Sequence, residues 1–134
     1  MADVRIYRRR LPHVRVREGT YFVTWRLHRA QAELTPAERT LLVDTLRHFD
    51  ADRYELLAYV VMNDHVHVIV RPNGTHRLED LVRSWKSYTA NRLPRTAQRR
   101  GTRSLWQEEY FDRVLRDEDP LHPEKPMEAL AGDR

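Results

Sequence analysis

The segment 56–72 constrains the fold more than any other part of the chain. It contains two apolar runs separated by Asn63 and Asp64, both of which favour tight turns, so we predict a β-hairpin. Successive side chains of a strand project to opposite faces, which places His65 and His67 together on one face of the second strand. The other face carries Val66, Val68 and Val70.

Two histidines on one face of a stiff strand supply a pair of nitrogen ligands suited to a divalent metal ion. A half-buried strand whose solvent face holds two histidines by chance explains the same residues. The spacing of His65 and His67 does not decide between these interpretations.

The composition is typical of one folded domain. The chain has 134 residues, of which 40% are hydrophobic, enough for a single core. No apolar run approaches the roughly 20 residues that span a bilayer, and no signal-peptide pattern follows the basic start, so we expect no membrane partner. The absence of cysteine excludes disulfides and zinc–thiolate sites and fits a cytoplasmic location.

The net charge of +4 is unevenly distributed. Cations, nearly all of them arginine, are concentrated in the first twenty residues and in segment 77–103. The planar guanidinium group suits bidentate contact with phosphate, so two such tracts predict a polyanionic partner, most simply nucleic acid. An arginine-rich surface that serves only solubility explains the same pattern. The cations expected to contact DNA are Arg8, Arg9, Arg10, Arg83, Lys86, Arg99, Arg100 and Arg103.

Further elements can be assigned on both sides of the hairpin. Segment 21–28 alternates and is rich in β-formers, which predicts a strand. Thr35 and Glu38 form a capping box around Pro36, which predicts the start of a helix. The apolar face of this helix carries Leu42, Leu46 and Phe49.

A second helix and a last strand pattern follow the hairpin. Apolar residues recur at helical spacing after the Asn73–Gly74 turn, and we expect Pro94 to end this helix. Segment 104–115 predicts a final strand or strand pair. The helical stripe consists of Leu78, Leu81, Val82, Trp85 and Thr89.

The predicted order is β-α-β-β-α-β, which indicates an α+β fold of the ferredoxin-like, split βαβ type. In this fold the first and third strands lie at the centre of an antiparallel sheet, and both helices cover one face. We expect the helices to cover the valines of segment 65–72 and to leave the two histidines on the open face. Residues 1–19 are then a basic arm or a peripheral strand, and residues 20–116 form the domain. Residues 117–134 form an acidic, proline-containing tail that is extended or disordered.

Four sequence strings resemble the small tyrosine transposases of the HUH class, the IS200-like transposases, and among them the REP-associated branch. The resemblance covers about residues 20–118, and the strings are residues 21–27, 59–72, 84–90 and 105–112. It implies a transposase that cleaves and rejoins single-stranded DNA at the foot of imperfect hairpins.

The resemblance also implies a metal site and a covalent mechanism. In this class a histidine pair, here His65 and His67, and a third polar group hold Mg²⁺ or Mn²⁺ against the scissile phosphate. Gln107 and Asp64 are candidates for the third group. A tyrosine on a C-terminal helix attacks the phosphorus, and the phosphotyrosine link stores the bond energy so that rejoining needs no ATP.

The sequence departs from the family pattern at two places. Asn63 replaces a proline that usually precedes the histidine motif, a change that the turn should tolerate. The family nucleophile would fall near Met127, yet no tyrosine occurs after Tyr110. We therefore expect a truncated or altered member that retains its metal and DNA sites but has lost its nucleophile. Tyr110 is the only stand-in, although packing or base stacking also explains it, and Tyr88 is expected to be a partly buried packing residue at the edge of the apolar stripe of the second helix.

Two other functions remain open at this point. One is a non-catalytic, ferredoxin-like module that binds single-stranded DNA or RNA without a metal ion, and the other is an inert remnant of a transposase. Metal binding by His65 and His67 separates the first of these from a transposase site. The sequence is also compatible with assembly as a homodimer.

Overall fold

The computed structural model describes residues 4–7, 13–16, 19–96, 99 and 104–122, with side chains for 19–93, 99 and 104–122. Its elements, in chain order, are β1 (Val4–Tyr7), β2 (His13–Val16), β3 (Thr20–Leu27), α1 (Pro36–His48), β4 (Tyr54–Val61), β5 (His65–Pro72), α2 (Leu78–Thr96) and β6 (Trp106–Leu115). The last six elements follow the predicted β-α-β-β-α-β order.

The main sheet is antiparallel and has the strand order β4-β5-β3-β6. Strands β3 and β5 are therefore central, which confirms the ferredoxin-like fold and the central position of the histidine strand. The segment predicted as a basic arm or peripheral strand contains β1 and β2, which pair with each other in a separate antiparallel hairpin. Segment 104–115, predicted to form a strand or a strand pair, contains the single strand β6.

The start of α1 confirms the capping box. The Thr35 side chain accepts a hydrogen bond from the Glu38 amide at 3.1 Å, and the Glu38 carboxylate accepts one from the Thr35 amide at 2.9 Å. These bonds satisfy amides that have no partner within the helix. Leu42 and Leu46 are buried as predicted, and Phe49 is partly buried against the same core.

The prediction that Pro94 ends the second helix is wrong, because α2 continues to Thr96. Leu93, immediately before the proline, is 0% exposed. The residue before a proline disfavours the helical conformation, but packing of an apolar side chain contributes more to helix stability in a protein than local preference does. Burial of Leu93 in the core thus stabilises this end of α2.

The core lies between the helices and one face of the main sheet. Trp25 of β3 stacks on Trp85 of α2 with ring centroids 5.6 Å apart, and Trp106 of β6 meets Trp25 edge-on at 6.1 Å. This face also carries the three fully buried valines of β5, as predicted: Val66, Val68 and Val70. The opposite face of the sheet is consequently the one that presents the histidines.

The chain after β6 begins with a turn. Residues 117–118 and 120–121 form turns, the Arg113 guanidinium pairs with the Asp119 carboxylate, and the His122 side chain is buried. Residues 123–134, the rest of the predicted tail, lie outside the described residues. In the part of the chain that is described, neither helix has an apolar stretch long enough to cross a membrane.

Candidate functional site

The histidine pair lies at the start of β5, directly after the hairpin turn. Strand pairing places His67 opposite Thr24 and His65 opposite Arg26 of β3. Residues that are directly opposite in an antiparallel pair project to the same face, so all four side chains belong to the open face. The two imidazole rings are 4.6 Å apart between centroids, at an interplanar angle of 78°.

Each imidazole is held through its Nδ1 atom. His65 Nδ1 donates to Asp64 Oδ1 at 2.7 Å, and His67 Nδ1 shares a hydrogen bond of 2.8 Å with Thr24 Oγ1. Among the described residues neither Nε2 atom has a hydrogen-bond partner. Metal-binding histidines commonly donate one ring nitrogen to an orienting group and bind the ion through the other. The donor set therefore fits a divalent ion bound through Nε2, in the tautomer whose Nδ1 carries the proton.

The electrostatics keep His67 in the neutral form that binds metals. Burial lowers the pKa of His67, and the nearby charges of His65 and Arg26 lower it further. The hydrogen bond from His65 lowers the pKa of Asp64, despite a small opposing effect of burial. Asp64 is therefore ionised at neutral pH and acts as an acceptor that orients its neighbour.

The described residues do not complete a metal site by themselves. They contain no group of three or more His, Cys, Asp or Glu side chains arranged to hold an ion. The candidate Asp64 is already bonded to Nδ1 of His65. The candidate Gln107 donates from its amide to the Leu27 carbonyl at 3.2 Å and lies on β6, which β3 separates from β5. Among His, Cys, Asp and Glu side chains, the described residues supply no third ligand beside the histidine pair; a DNA phosphate or a water molecule is a suitable third ligand for a divalent ion.

Tyr110 does not share a face with the histidines. It is paired directly with Trp25, which is 1% exposed beneath the helices, whereas His67 is paired with Thr24 on the other face. Tyr110 packs against the core, and the Lys86 ammonium lies 5.9 Å from its ring centroid. This geometry does not support Tyr110 as a substitute nucleophile.

The other described tyrosines are also remote from the open face. Tyr21 and Tyr59 pair with buried valines of β5, and Tyr54 is fully buried and donates to the Leu46 carbonyl at 2.5 Å. Tyr88, which the sequence predicts to be partly buried, is 44% exposed on α2 and accepts a hydrogen bond from Arg92. The inward stripe of α2 is occupied by neighbouring residues, so Tyr88 points away from the sheet.

Arg99 is predicted from the sequence to contact DNA, but the structure gives it a different role. Its guanidinium donates to both Glu38 oxygens, at 2.7 and 2.9 Å, and to Gln31 Oε1 and the Glu33 carbonyl. The side chains of Arg99 and Glu38 are only 6% and 1% exposed. Burial alone would raise the pKa of Glu38, but hydrogen bonds from Arg99 and Thr35 outweigh it and lower that pKa. Arg99 is therefore unavailable to a phosphate in this structure.

The remaining predicted cations differ in accessibility. Lys86 is partly buried and donates to the main-chain carbonyls of Gln107 and Glu108, at 2.9 and 3.0 Å, and burial lowers its pKa. Arg83 is exposed and pairs with Asp80 at 3.2 Å, beside a groove of about 1040 Å³ between α2 and β6 that has both basic and acidic walls. The other predicted contacts lie outside the described residues: Arg8, Arg9, Arg10, Arg100 and Arg103.

Sequence reasoning missed three residues on the open face. Arg26 is exposed beside His65, Phe22 stacks on His67 with centroids 5.3 Å apart, and Phe111 is 49% exposed opposite Thr24. The alternation within 21–28 assigns Phe22 and Arg26 to the polar face of their strand. Their placement beside the histidines depends on the register between strands, which the sequence does not specify.

Comparisons with known proteins agree with this fold. A family model for IS200-like transposases matches residues 20–119, so the chain belongs to the IS200-like transposase family. This confirms the resemblance of the four strings. A comparison with curated proteins gives no significant match.

Two solved structures are similar to the chain. One is a REP-associated tyrosine transposase bound to a REP hairpin, with a TM-score of 0.60 and 22% identity over 75% of this chain. The other is a protein assigned as a transposase in Deinococcus radiodurans R1, with a TM-score of 0.57 and 23% identity, covering 73% of this chain and 79% of that one. This chain spans 58% of the length of the hairpin-bound protein. At these identities the two structures support the fold alone.

Proposed function

We propose that this transposase domain binds single-stranded or hairpin DNA on the open face of its sheet, with Mg²⁺ or Mn²⁺ held between His65, His67 and a DNA phosphate. The observation that carries the proposal is the arrangement of the histidines, each fixed through Nδ1 and each with its Nε2 atom unpaired among the described residues. Arg26, exposed beside them, adds a guanidinium suited to a phosphate oxygen. The similar protein that is bound to a REP hairpin supports DNA as the ligand.

The roles of the residues follow from their contacts. A bound divalent ion would polarise a phosphoryl oxygen and orient the phosphate for in-line displacement. His65 and His67 would bind the ion, and Arg26 would neutralise phosphate charge. Asp64 would fix the plane and tautomer of the His65 imidazole, and Thr24 would fix the plane of the His67 imidazole. With only two protein nitrogens, the site should bind Mn²⁺ weakly alone and more tightly when a phosphate completes the ligand set.

Calorimetric titration of Mn²⁺, with and without a hairpin oligonucleotide, tests the metal site. We expect DNA to increase Mn²⁺ affinity, and the double variant His65→Ala/His67→Ala to lose binding in both conditions. His76→Ala, which changes an exposed histidine on a loop, is the matched control and should bind as the unaltered protein does. If the double variant binds Mn²⁺ as well as the unaltered protein does, the histidines do not hold the ion; if all three proteins also bind DNA, a binding module without a metal ion at the histidine pair is the better description.

Fluorescence anisotropy at several salt concentrations tests DNA binding. Contacts with phosphates release counterions, so log affinity should fall linearly with log salt concentration. A hairpin with single-stranded flanks should bind more tightly than a blunt duplex, and Arg26→Met should weaken binding more than Arg47→Met, which removes an exposed cation from α1. A preference for duplex, or an affinity independent of salt, would contradict the proposal.

We further propose that the chain forms no covalent adduct with DNA. Of its six tyrosines, only Tyr7 has a side chain outside the described residues, and the other five lie on the helix side of the sheet or on α2. A denaturing gel with labelled hairpin DNA and Mn²⁺ should therefore show free DNA only. An adduct that disappears in Tyr7→Phe or Tyr110→Phe would show that the chain has a nucleophile. Assembly as a homodimer and a cytoplasmic location stay predictions.

A further inference from the structure

An aromatic side chain lies on the open face in the same row as His67, and the proposed metal site does not use it. Phe111 of β6 is 49% exposed, more than the other two exposed large apolar side chains of the described residues, Met62 and Tyr88. It is directly opposite Thr24 of β3, and Thr24 is directly opposite His67 of β5. His67, Thr24 and Phe111 thus form one row across three neighbouring strands, on one face.

The neighbouring row adds a second aromatic ring and a cation. Phe22 stacks on His67 at an interplanar angle of 17°, and the Arg113 guanidinium lies 5.9 Å from the Phe22 ring centroid. Arg113 is itself directly opposite Phe22 and is held by Asp119. The open face therefore combines flat aromatic surface with guanidinium groups on both sides of the histidines, since Arg26 lies at the other end.

We infer that Phe111 is a stacking platform for one unpaired base of single-stranded DNA, in a nucleotide adjacent to the phosphate held at His65 and His67. This inference rests on the proposed function and assigns the position of the base. Neighbouring strands are about 4.8 Å apart, so Phe111 is about 10 Å from His67 across the sheet, within reach of a nucleotide whose phosphate is at the histidines. Every base has a π-face, and stacking on aromatic side chains tolerates different sequences. The cations on the same face complement the charge of the DNA backbone.

The test combines a protein variant with a modified oligonucleotide. Phe111→Ala should weaken binding of a single-stranded oligonucleotide about five-fold or more, and Phe111→Trp should restore it. In a scan of abasic substitutions, one position should weaken binding to the unaltered protein but have little further effect in Phe111→Ala. At that position 2-aminopurine should be quenched by the unaltered protein and not by Phe111→Ala.

Tyr88→Ala is the matched control, because Tyr88 is similarly exposed, at 44%, but lies on α2 away from the open face. It should bind the oligonucleotide as the unaltered protein does. If single-stranded DNA does not bind the unaltered protein at all, the proposed function fails as well. If DNA binds, with dependence on the histidines, but Phe111→Ala binds equally well, only the stacking inference is overturned. Loss of thermal stability in Phe111→Ala with unchanged DNA affinity would show that the chain itself covers the ring, and would also overturn the inference.

Discussion

The ion pair between Arg99 and Glu38 makes a quantitative prediction that separates folding from DNA binding. The substitution Arg99→Met keeps an unbranched apolar stem but removes both hydrogen bonds that the guanidinium donates to the Glu38 carboxylate, leaving only the one from the Thr35 amide. Both side chains are nearly inaccessible, so Glu38 is left as a buried charge without a cation. Breaking a buried pair in this way costs about 3–5 kcal/mol. For a domain of roughly this size, that loss lowers the melting temperature by about 12–20 °C.

The pH dependence of this loss has a defined sign. In the unaltered protein the pKa of Glu38 lies below its ordinary value of 4.5, so its contribution to stability is present above pH 4.5 and disappears as the pH falls through the lowered pKa. Without Arg99, burial is the dominant effect and should raise the pKa of Glu38 above 4.5. The carboxyl group of the variant would then be neutralised at mildly acidic pH, and the stability difference between the two proteins should be smaller at pH 4 than at pH 7.

Urea unfolding followed by tryptophan fluorescence provides the measurement, because Trp25, Trp85 and Trp106 are all buried. Arg83→Met is the control, since its side chain is 69% exposed and its pairing with Asp80 should contribute less than about 1 kcal/mol. A loss below about 1 kcal/mol for Arg99→Met, or one that is equal at pH 4 and pH 7, would refute the buried ion pair. If Arg99→Met were fully stable but bound DNA poorly, the result would favour the DNA contact that the sequence predicts for Arg99.

Three further predictions concern individual contacts. Thr24→Val removes the hydroxyl that holds His67 Nδ1. In a Mn²⁺ titration the affinity of this variant should be reduced by a factor of about ten or more. Lys86→Met removes the donor to two carbonyls of β6 and should destabilise the fold by about 1–3 kcal/mol in urea unfolding, while anisotropy shows DNA affinity nearly unchanged; a large loss of affinity with full stability would contradict this. Trp25→Ala empties the centre of the core and should cost about 3–5 kcal/mol, and a loss below about 1 kcal/mol would mean that the aromatic cluster is not where the stability resides.

The local signals in the sequence were sufficient to predict the helices and strands and the faces on which their side chains lie. The hairpin turn at Asn63 and Asp64, the capping box at Thr35 and the alternation in β5 each depend on interactions within a few residues, and each is present in the structure. The element order was enough to derive the ferredoxin-like sheet with β3 and β5 at its centre, because few topologies join these elements with short connections.

Long-range packing decided what local signals could not. Nothing near Arg99 in the sequence indicates its partner, because Glu38 is 61 residues away and the basic tract around Arg99 is equally compatible with a DNA contact. Pro94 is a local signal for the end of a helix, yet α2 continues past it because Leu93 is buried. In both cases the deciding contact is a tertiary one that the neighbouring sequence does not indicate.

The sequence by itself determined that His65 and His67 share one face of a strand, because side-chain alternation is a property of the strand alone. Which groups surround them was decided only by the register of β3 between β5 and β6. That register places Thr24 and Arg26 beside the histidines and Tyr110 on the opposite face. A shift of one residue would exchange the two faces of the strand. The register is fixed because it buries Trp25 and the valines of β5 under the helices, and this burial stabilises the fold.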